Sequence, residues 1–479
     1  MGEAVVIDAV SHETGDRRSV AITVVLCAAA FVAMLDVFIV NVAFIAIGSS
    51  LDAPLSDLSW VLNAYTIVYA ALLIPAGRLA DRHGRKRAFA LGLVVFTVAS
   101  AACASASTLW LLIVFRAIQA AGAAALTPSS LGLLLTVLPP HRRAGAVKVW
   151  ATTSSLAGAL GPVLGGLLLE LSWHWVFLVN LPVGIITLIA AWRLVPDVRD
   201  DTVRRAPDLF GALLLAVSVG SLALAIIKAR DWGWSTATTI GAFSVAILAL
   251  VLLARRIARH ASPVVDPALF QVAAFRSSNV TALLFCTAFG ALFPSVVLWL
   301  QSVAAFSALG SGLAIAPGPL MVPIFAAVGQ RVARRYSVRA VTIAGNLLFS
   351  AGVAMLALST TAHASYATQI LPGWLVTGMG IGLALPNLIA AATASLPPTQ
   401  AATGSAVINT SRQLGYVLGV AMLVAVLGAH TAGPIAFRHA WWLIAVTAAA
   451  SAVTAIGIRA PTILPRVDRA TEPLSRRAM

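Results

Sequence analysis

Residues 30 to 44 read AFVAMLDVFIVNVAF, thirteen apolar residues interrupted only by Asp36 and Asn41. What a carboxylate costs in such a run depends on the solvent around it. Apolar runs of about 20 residues recur from residue 20 to residue 458, and as helices they cross a hydrocarbon layer about 30 Å thick. The chain is 60% hydrophobic and 10% charged, against about 25% charged in a soluble domain. A membrane core offers no water to backbone amides, so the expected fold is an all-α integral membrane bundle.

Fourteen transmembrane helices are expected. Residues 1–19 read as a cytoplasmic N-terminal tail, 20–193 as a six-helix half and 194–276 as two inserted helices with their linkers. Residues 277–458 read as a second six-helix half, and 459–479 as a cytoplasmic C-terminal tail. The first run exceeds a signal-peptide core and lacks a small-residue cleavage site, so it is expected to stay in the mature chain.

The net charge of +15 raises the question of nucleic-acid binding, and the placement of the 32 basic residues answers it. Twenty-eight fall on the side that holds the termini, counting one in the last loop on that side. Three, Lys228, Arg230 and Arg438, fall on the other, and Arg116 lies inside a span. That asymmetry is the positive-inside pattern, which places both termini in the cytoplasm and excludes a nucleic-acid partner. Cys27, Cys103 and Cys286 lie in spans without metal-ligand spacing, so neither a disulfide nor a metal is expected.

Three stretches recur in the same order at offsets of 252 to 258 residues. GRLADRHGRKR from Gly77 lines up with GQRVARRYSVR from Gly329, and GPVLG from Gly161 lines up with GYVLG from Gly415. GAAALTP ending at Pro128 lines up with GIGLALP ending at Pro386. Two duplicated halves flanking a substrate path form an architecture suited to alternating access.

GRLADRHGRKR resembles the loop signature of the major facilitator superfamily. RAIQAAGAAALTP resembles that superfamily's Arg-containing motif, and LGPVLGG its antiporter motif. With LDVFIVNVA and WHWVFLVNLPVG, the chain is similar to the fourteen-helix drug:proton antiporter branch. Ala120 and Ala157 stand where those patterns usually carry glycine. The resemblance implies a multi-pass secondary transporter of the cytoplasmic membrane, not an enzyme. It would export drug-like or antibiotic-like amphiphiles in exchange for protons.

The residues themselves allow a physical reading of each motif. Gly77 and Gly84 permit a tight reversal, Arg82, Arg85 and Arg87 hold the loop in the cytoplasm, and Asp81 is a candidate latch. Asp81 would pair with a nearby Arg or with a helix N-terminus of the other half. Gly158, Gly161, Gly165 and Gly166 offer a small-residue face for close helix approach, and Pro162 invites a bend. Arg116 keeps its charge at membrane depth and needs a partner, with Gln119 one turn away.

Asp36 lies roughly 24 Å along the first span, near its middle, and is the one acid so placed. Burial and a neighbouring cation act on a carboxyl group in opposite directions, and their balance suits it to carry protons. The only coupling ion expected is the proton, with no other cofactor. Lys86, Lys148 and Lys228 follow Arg85, Val147 and Ile227, so no phosphate-binding glycine-lysine pair exists. A central cavity would draw on Asn41, Asn63, Tyr65, Tyr69, Gln119, Phe289, Trp299, Gln301, Asn387, Asn409 and Gln413. With one deep acid, the expected ligand is neutral or singly cationic. The chain is expected to contact lipid and to act as a monomer. An exporter or facilitator of an endogenous metabolite, or a membrane sensor, is the alternative.

Overall fold

A computed structural model describes residues 2–197, 207–260, 263, 265–360, 365–397, 400–428 and 433–458. The expected C-terminal tail lies outside these residues. The described residues form eighteen α-helices and no strand.

The first half comprises α1 (Gly2–Val42), α2 (Phe44–Ser50), α3 (Leu55–Leu58), α4 (Trp60–His83), α5 (Arg85–Ala104), α6 (Leu109–Val137), α7 (Pro140–Leu169), α8 (Trp175–Leu178) and α9 (Asn180–Leu194). The insertion is α10 (Leu209–Trp232) and α11 (Ala237–Arg259), packed on each other. The second half comprises α12 (Ala273–Ser302), α13 (Ala308–Ile315), α14 (Pro317–Arg335), α15 (Val338–Ser359), α16 (Leu371–Ala394), α17 (Ala401–Leu427) and α18 (Pro434–Ala455).

Among the described residues, thirteen helical stretches are long and apolar enough to cross a membrane. The fourteenth expected span is present as α18, 22 residues long, whose hydropathy Arg438 and His439 dilute. The expected N-terminal tail is a continuation of α1 back to Gly2. The span expected over 309–329 is one helical stretch, Ala308–Arg335, in which α13 and α14 meet at Ala316 with helical backbone angles, and Pro317 supplies no amide hydrogen to the ladder.

The duplication is visible in the packing. A Cβ at Gly161 would meet the Phe38 Cβ of α1 at 2.6 Å, and one at Gly165 the Ile39 carbonyl at 3.2 Å. In the second half, a Cβ at Gly415 would meet the Leu283 carbonyl of α12 at 2.5 Å, and Gly419 presses on the same helix at Thr287. Likewise Gly122 of α6 lies against the Phe96 amide of α5, and Gly380 of α16 against the Phe349 amide of α15. Small residues thus set the same helix pairs in both halves, as helix association in lipid requires.

The halves join at one end and separate at the other. Away from the termini, one apolar core takes Leu35, Ile39, Phe44 and Leu58 from the first half and Phe293, Trp299, Ile315 and Trp374 from the second. Gln301 donates to the Val42 carbonyl across the boundary at 3.1 Å. Gly166 of α7 accepts the α13 backbone so closely that a Cβ would sit 2.6 Å from the Ala308 carbonyl oxygen. Gly312 of α13 packs as tightly on the Pro162 carbonyl. Toward the termini the cores are largely separate: Leu26, Phe89, Leu93, Leu133 and Leu134 in one, Phe275, Leu388, Val407 and Ile408 in the other, which takes Ile74 alone from the first half.

A side chain at Gly312 cannot fit against α7 without separating the halves where they are sealed. Gly312→Val is expected to expose that seam, so a cysteine placed at Leu309 becomes reactive toward an impermeant maleimide. Unchanged labelling would show that the α7–α13 contact does not close this end.

Candidate functional site

The apolar stretch of α1 carries Asp36 to the middle of the first half, where four other helices supply the surrounding network. Asp36 is 0% and Arg116 1% exposed. The Arg116 guanidinium of α6 donates to Asp36 Oδ2 in a short buried ion pair. Gln119, one turn further along α6, donates from Nε2 to Asp36 Oδ1 at 2.9 Å and accepts from Arg116 at 2.6 Å. Asn180 donates from Nδ2 to the same Oδ1 at 2.8 Å. Ser100 of α5 accepts from Gln119 at 2.7 Å and passes its own hydroxyl proton to the Phe96 carbonyl at 2.9 Å.

Arg116 is held from two further sides. Its Nε donates to the Val61 carbonyl at 3.2 Å, and its guanidinium lies 4.2 Å above the Tyr65 ring. Every group facing Asp36 donates, which is the environment an ionised carboxylate needs. A proton reaching Asp36 must therefore compete with Arg116 for the same oxygen. Asn180, at the start of α9, meets Asp36 because α9 packs along α1.

Sequence reasoning found Asp36, Arg116 and the Arg116–Gln119 neighbourhood but missed Asn180 and Ser100. Asn180 stands in WHWVFLVNLPVG, a polar residue in an apolar run, and that was its available signal. Ser100 carried none, since a serine in a span ordinarily bonds its own helix. Gln119 belongs to the Asp36 network rather than to a substrate wall.

The remaining candidates divide. Tyr65 and Tyr69 stack with ring centres 6.2 Å apart. Phe289 lies 5.8 Å from Tyr416. Phe38 of the first half meets Phe293 of the second at 5.2 Å. Gln413 is half-buried on α17. Other candidates are withdrawn from a cavity. Trp299 is fully buried against Trp441, and Gln301 belongs to the seam. Asn41 and Asn387 bond the carbonyls of Val37 and Leu383 on their own helices. Asn63 is buried with both amide atoms unpaired. Asn409 bonds the Ser405 carbonyl and accepts from Arg412 at 2.7 Å.

Arg412 corrects the sequence reading. The single basic residue assigned to the last loop on the terminal side is in fact the twelfth residue of α17, so Arg116 is not the only cation at depth.

The loop signature sits at the terminal end. Gly84 takes φ +106°, a conformation only glycine adopts without strain, and thereby turns α4 into α5. Asp81 pairs with Arg85 at 2.7 Å, and Arg85 donates to the Gly132 carbonyl of α6 at 2.9 Å. Arg87 faces Asp197 at 3.9 Å, and Arg82 is exposed. Of the two partners expected for Asp81, the structure contains the nearby Arg. A Cβ at Gly77 would only touch Pro128 at 3.6 Å. In α7, Gly158 rests on the Phe38 ring, while Ala120 and Ala157 are fully buried.

Duplicated bundles joined at one end around a buried acid–base pair describe a membrane transporter rather than an enzyme. The chain belongs to the Major Facilitator Superfamily, whose profile matches residues 26–420. It is 34% identical over 425 residues to the methylenomycin A resistance protein of Streptomyces coelicolor, covering 86% of this chain and 87% of that one. It is 33% identical to the cephamycin export protein CmcT of Amycolatopsis lactamdurans, covering 94% and 93%. The multidrug resistance protein Stp of Mycobacterium tuberculosis is 32% identical over 83% of this chain and 74% of its own length. A crystal structure of a POT family transporter in complex with 5-aminolevulinic acid superposes with a TM-score of 0.68 at 14% identity, covering 90% and 94%.

Removing one partner of a buried ion pair strands the other charge, at about 3–5 kcal/mol. Arg116→Ala is expected to destabilise the detergent-solubilised protein by that order. The double change Asp36→Asn with Arg116→Gln is expected to recover much of it in thermal unfolding. Equal losses in single and double variants would contradict direct pairing.

Proposed function

We propose that the protein exports amphiphilic, drug-like or antibiotic-like molecules across the cytoplasmic membrane in exchange for protons. Both termini would lie in the cytoplasm, the chain would act as a monomer, and it would need no cofactor beyond the coupling proton. The observation that carries this reading is the dry Asp36 carboxylate, held by Arg116, Gln119 and Asn180 in a helix that borders the second half. The printed functions of the relatives, resistance and export, support the direction and the cargo class.

On this reading the conformation described is the inward-open one. The halves share one large core away from the termini, whereas toward them their cores are largely separate, joined through Ile74 of α4. A proton arriving at Asp36 removes its charge, so Arg116 loses its strongest partner and α1, α6 and α9 lose the tie that fixes their spacing. Gly166 and the Pro162 carbonyl of α7, which meet α13, are where the halves seal and where they would part, while Gly161 and Gly165 hold α7 on α1 within the first half. Asp81, paired within its own half while the terminal ends are apart, would exchange partners when they close.

The driving force is adequate. A proton entering down 100 mV releases about 2.3 kcal/mol, and a pH unit adds about 1.4 kcal/mol. Together they sustain a gradient of several hundredfold for a neutral solute.

The test uses cells lacking their own pumps, with accumulation of several antibiotics and of a fluorescent amphiphilic acid measured with and without an uncoupler. The intact protein is expected to lower accumulation in an uncoupler-sensitive way. Asp36→Asn is expected to lose that effect while still reaching the membrane. Export that survives either the uncoupler or Asp36→Asn would exclude proton antiport through this residue.

A further inference from the structure

The charge inventory at membrane depth contains one cation more than the proton site needs. Asp36 and Arg116 neutralise each other. Arg412, midway along α17, has no carboxylate within ion-pair distance among the described residues. One Nη donates to Asn409 Oδ1 at 2.7 Å, while its buried Nε has no hydrogen-bond partner. A guanidinium costs several kcal/mol to bury unless it is paired, so this side chain lacks the counter-charge that would normally hold it.

Its surroundings are those of a ligand site. Tyr416 and Cys286 engage its guanidinium, and neither supplies a carboxylate. In the first half, Tyr69 stacks on Tyr65, which lies under Arg116. Phe289 and Tyr416, both only partly buried, offer aromatic surface beside it. The second half has no copy of the proton site to explain the charge: Trp374, 258 positions after Arg116, takes its place and donates to the Ile315 carbonyl as Arg116 does to Val61.

We propose that Arg412 anchors a negatively charged group of the cargo, so that the transported amphiphiles are singly charged organic acids, carboxylates foremost. This rests on the export reading above and replaces the neutral or cationic ligand expected when only one deep acid had been counted. In a one-for-one exchange, an organic anion leaving as a proton enters moves two charges down an inside-negative potential. The membrane voltage then drives both half-reactions. The apolar body of the acid would lie on Phe289 and Tyr416, and its carboxylate would take Nε and the free edge of the guanidinium.

Purified protein is titrated with 1-pyrenebutyrate and with its uncharged amide, and binding is read by fluorescence polarisation. Naproxen and naproxen amide serve as a second pair, read by displacement. The acids are expected to bind at least about tenfold more tightly than the amides, the scale of one charge-assisted hydrogen bond. Arg412→Gln is expected to abolish that preference, and Arg412→Lys, which keeps the charge, to retain part of it at unchanged thermal stability. Equal binding of acid and amide in both pairs, or a preference that persists in Arg412→Gln, would overturn the proposal. A preference abolished by excess chloride would assign the cation to an inorganic anion and overturn it too. Uncoupler-sensitive export of a fluorescent amphiphilic acid that survives undiminished in Arg412→Gln would leave the export reading standing while the anion assignment fails.

Discussion

A carboxylate and a guanidinium buried together in a membrane protein each carry a desolvation cost that only close, well-satisfied pairing offsets. Asp36 and Arg116 meet that condition by drawing donors and acceptors from α4, α5, α6 and α9 around one point on α1. These helices are apolar on nearly every side, so general hydrophobicity does not fix how they face one another. The polar cluster does. Change its charge state and the arrangement of five helices changes with it, which is the property a proton-driven machine requires.

The two halves share a backbone plan and differ in chemistry. Glycines at matching positions bring α7 onto α1 and α17 onto α12, and α6 onto α5 and α16 onto α15. Upon this common frame the first half places an ion pair, while the second half puts Trp374 where the first has Arg116 and carries Arg412 where α7 has Gly158 against a phenyl ring. On the proposed reading, proton handling and cargo recognition would fall to opposite halves. The inserted α10 lies against both α4 and α17, with Lys228 bonded to Asp57 of the first half at 2.5 Å and Arg230 to the Val426 carbonyl of the second at 3.2 Å.

Much of this was legible from residue order because lipid leaves few options. Long apolar runs had to be helices, the glycine repeats had to be packing faces, and a lone Asp at mid-span had to have partners. What stayed hidden was whatever depends on facing. A helix apolar all round has no stripe to say which side meets its neighbour, so Trp299 was read as a cavity wall and is instead a core residue. Asn180 reaches Asp36 only because α9 packs on α1, and Ser100 reaches Gln119 only because α5 packs on α6. Arg412 was assigned to a loop because positive charge is usually topogenic, and that assignment concealed the second cation at depth.

The central claim is that Asp36 is the carboxylate that takes up the coupling proton. Infrared difference spectroscopy of the purified protein, titrated from alkaline to acid pH in deuterated and ordinary water, reads buried carboxylic acids directly. The account predicts one slowly exchanging carboxylic acid band that forms on acidification, shifts in Arg116→Gln and is missing from Asp36→Asn. The same band persisting in Asp36→Asn would place the proton elsewhere and contradict the account.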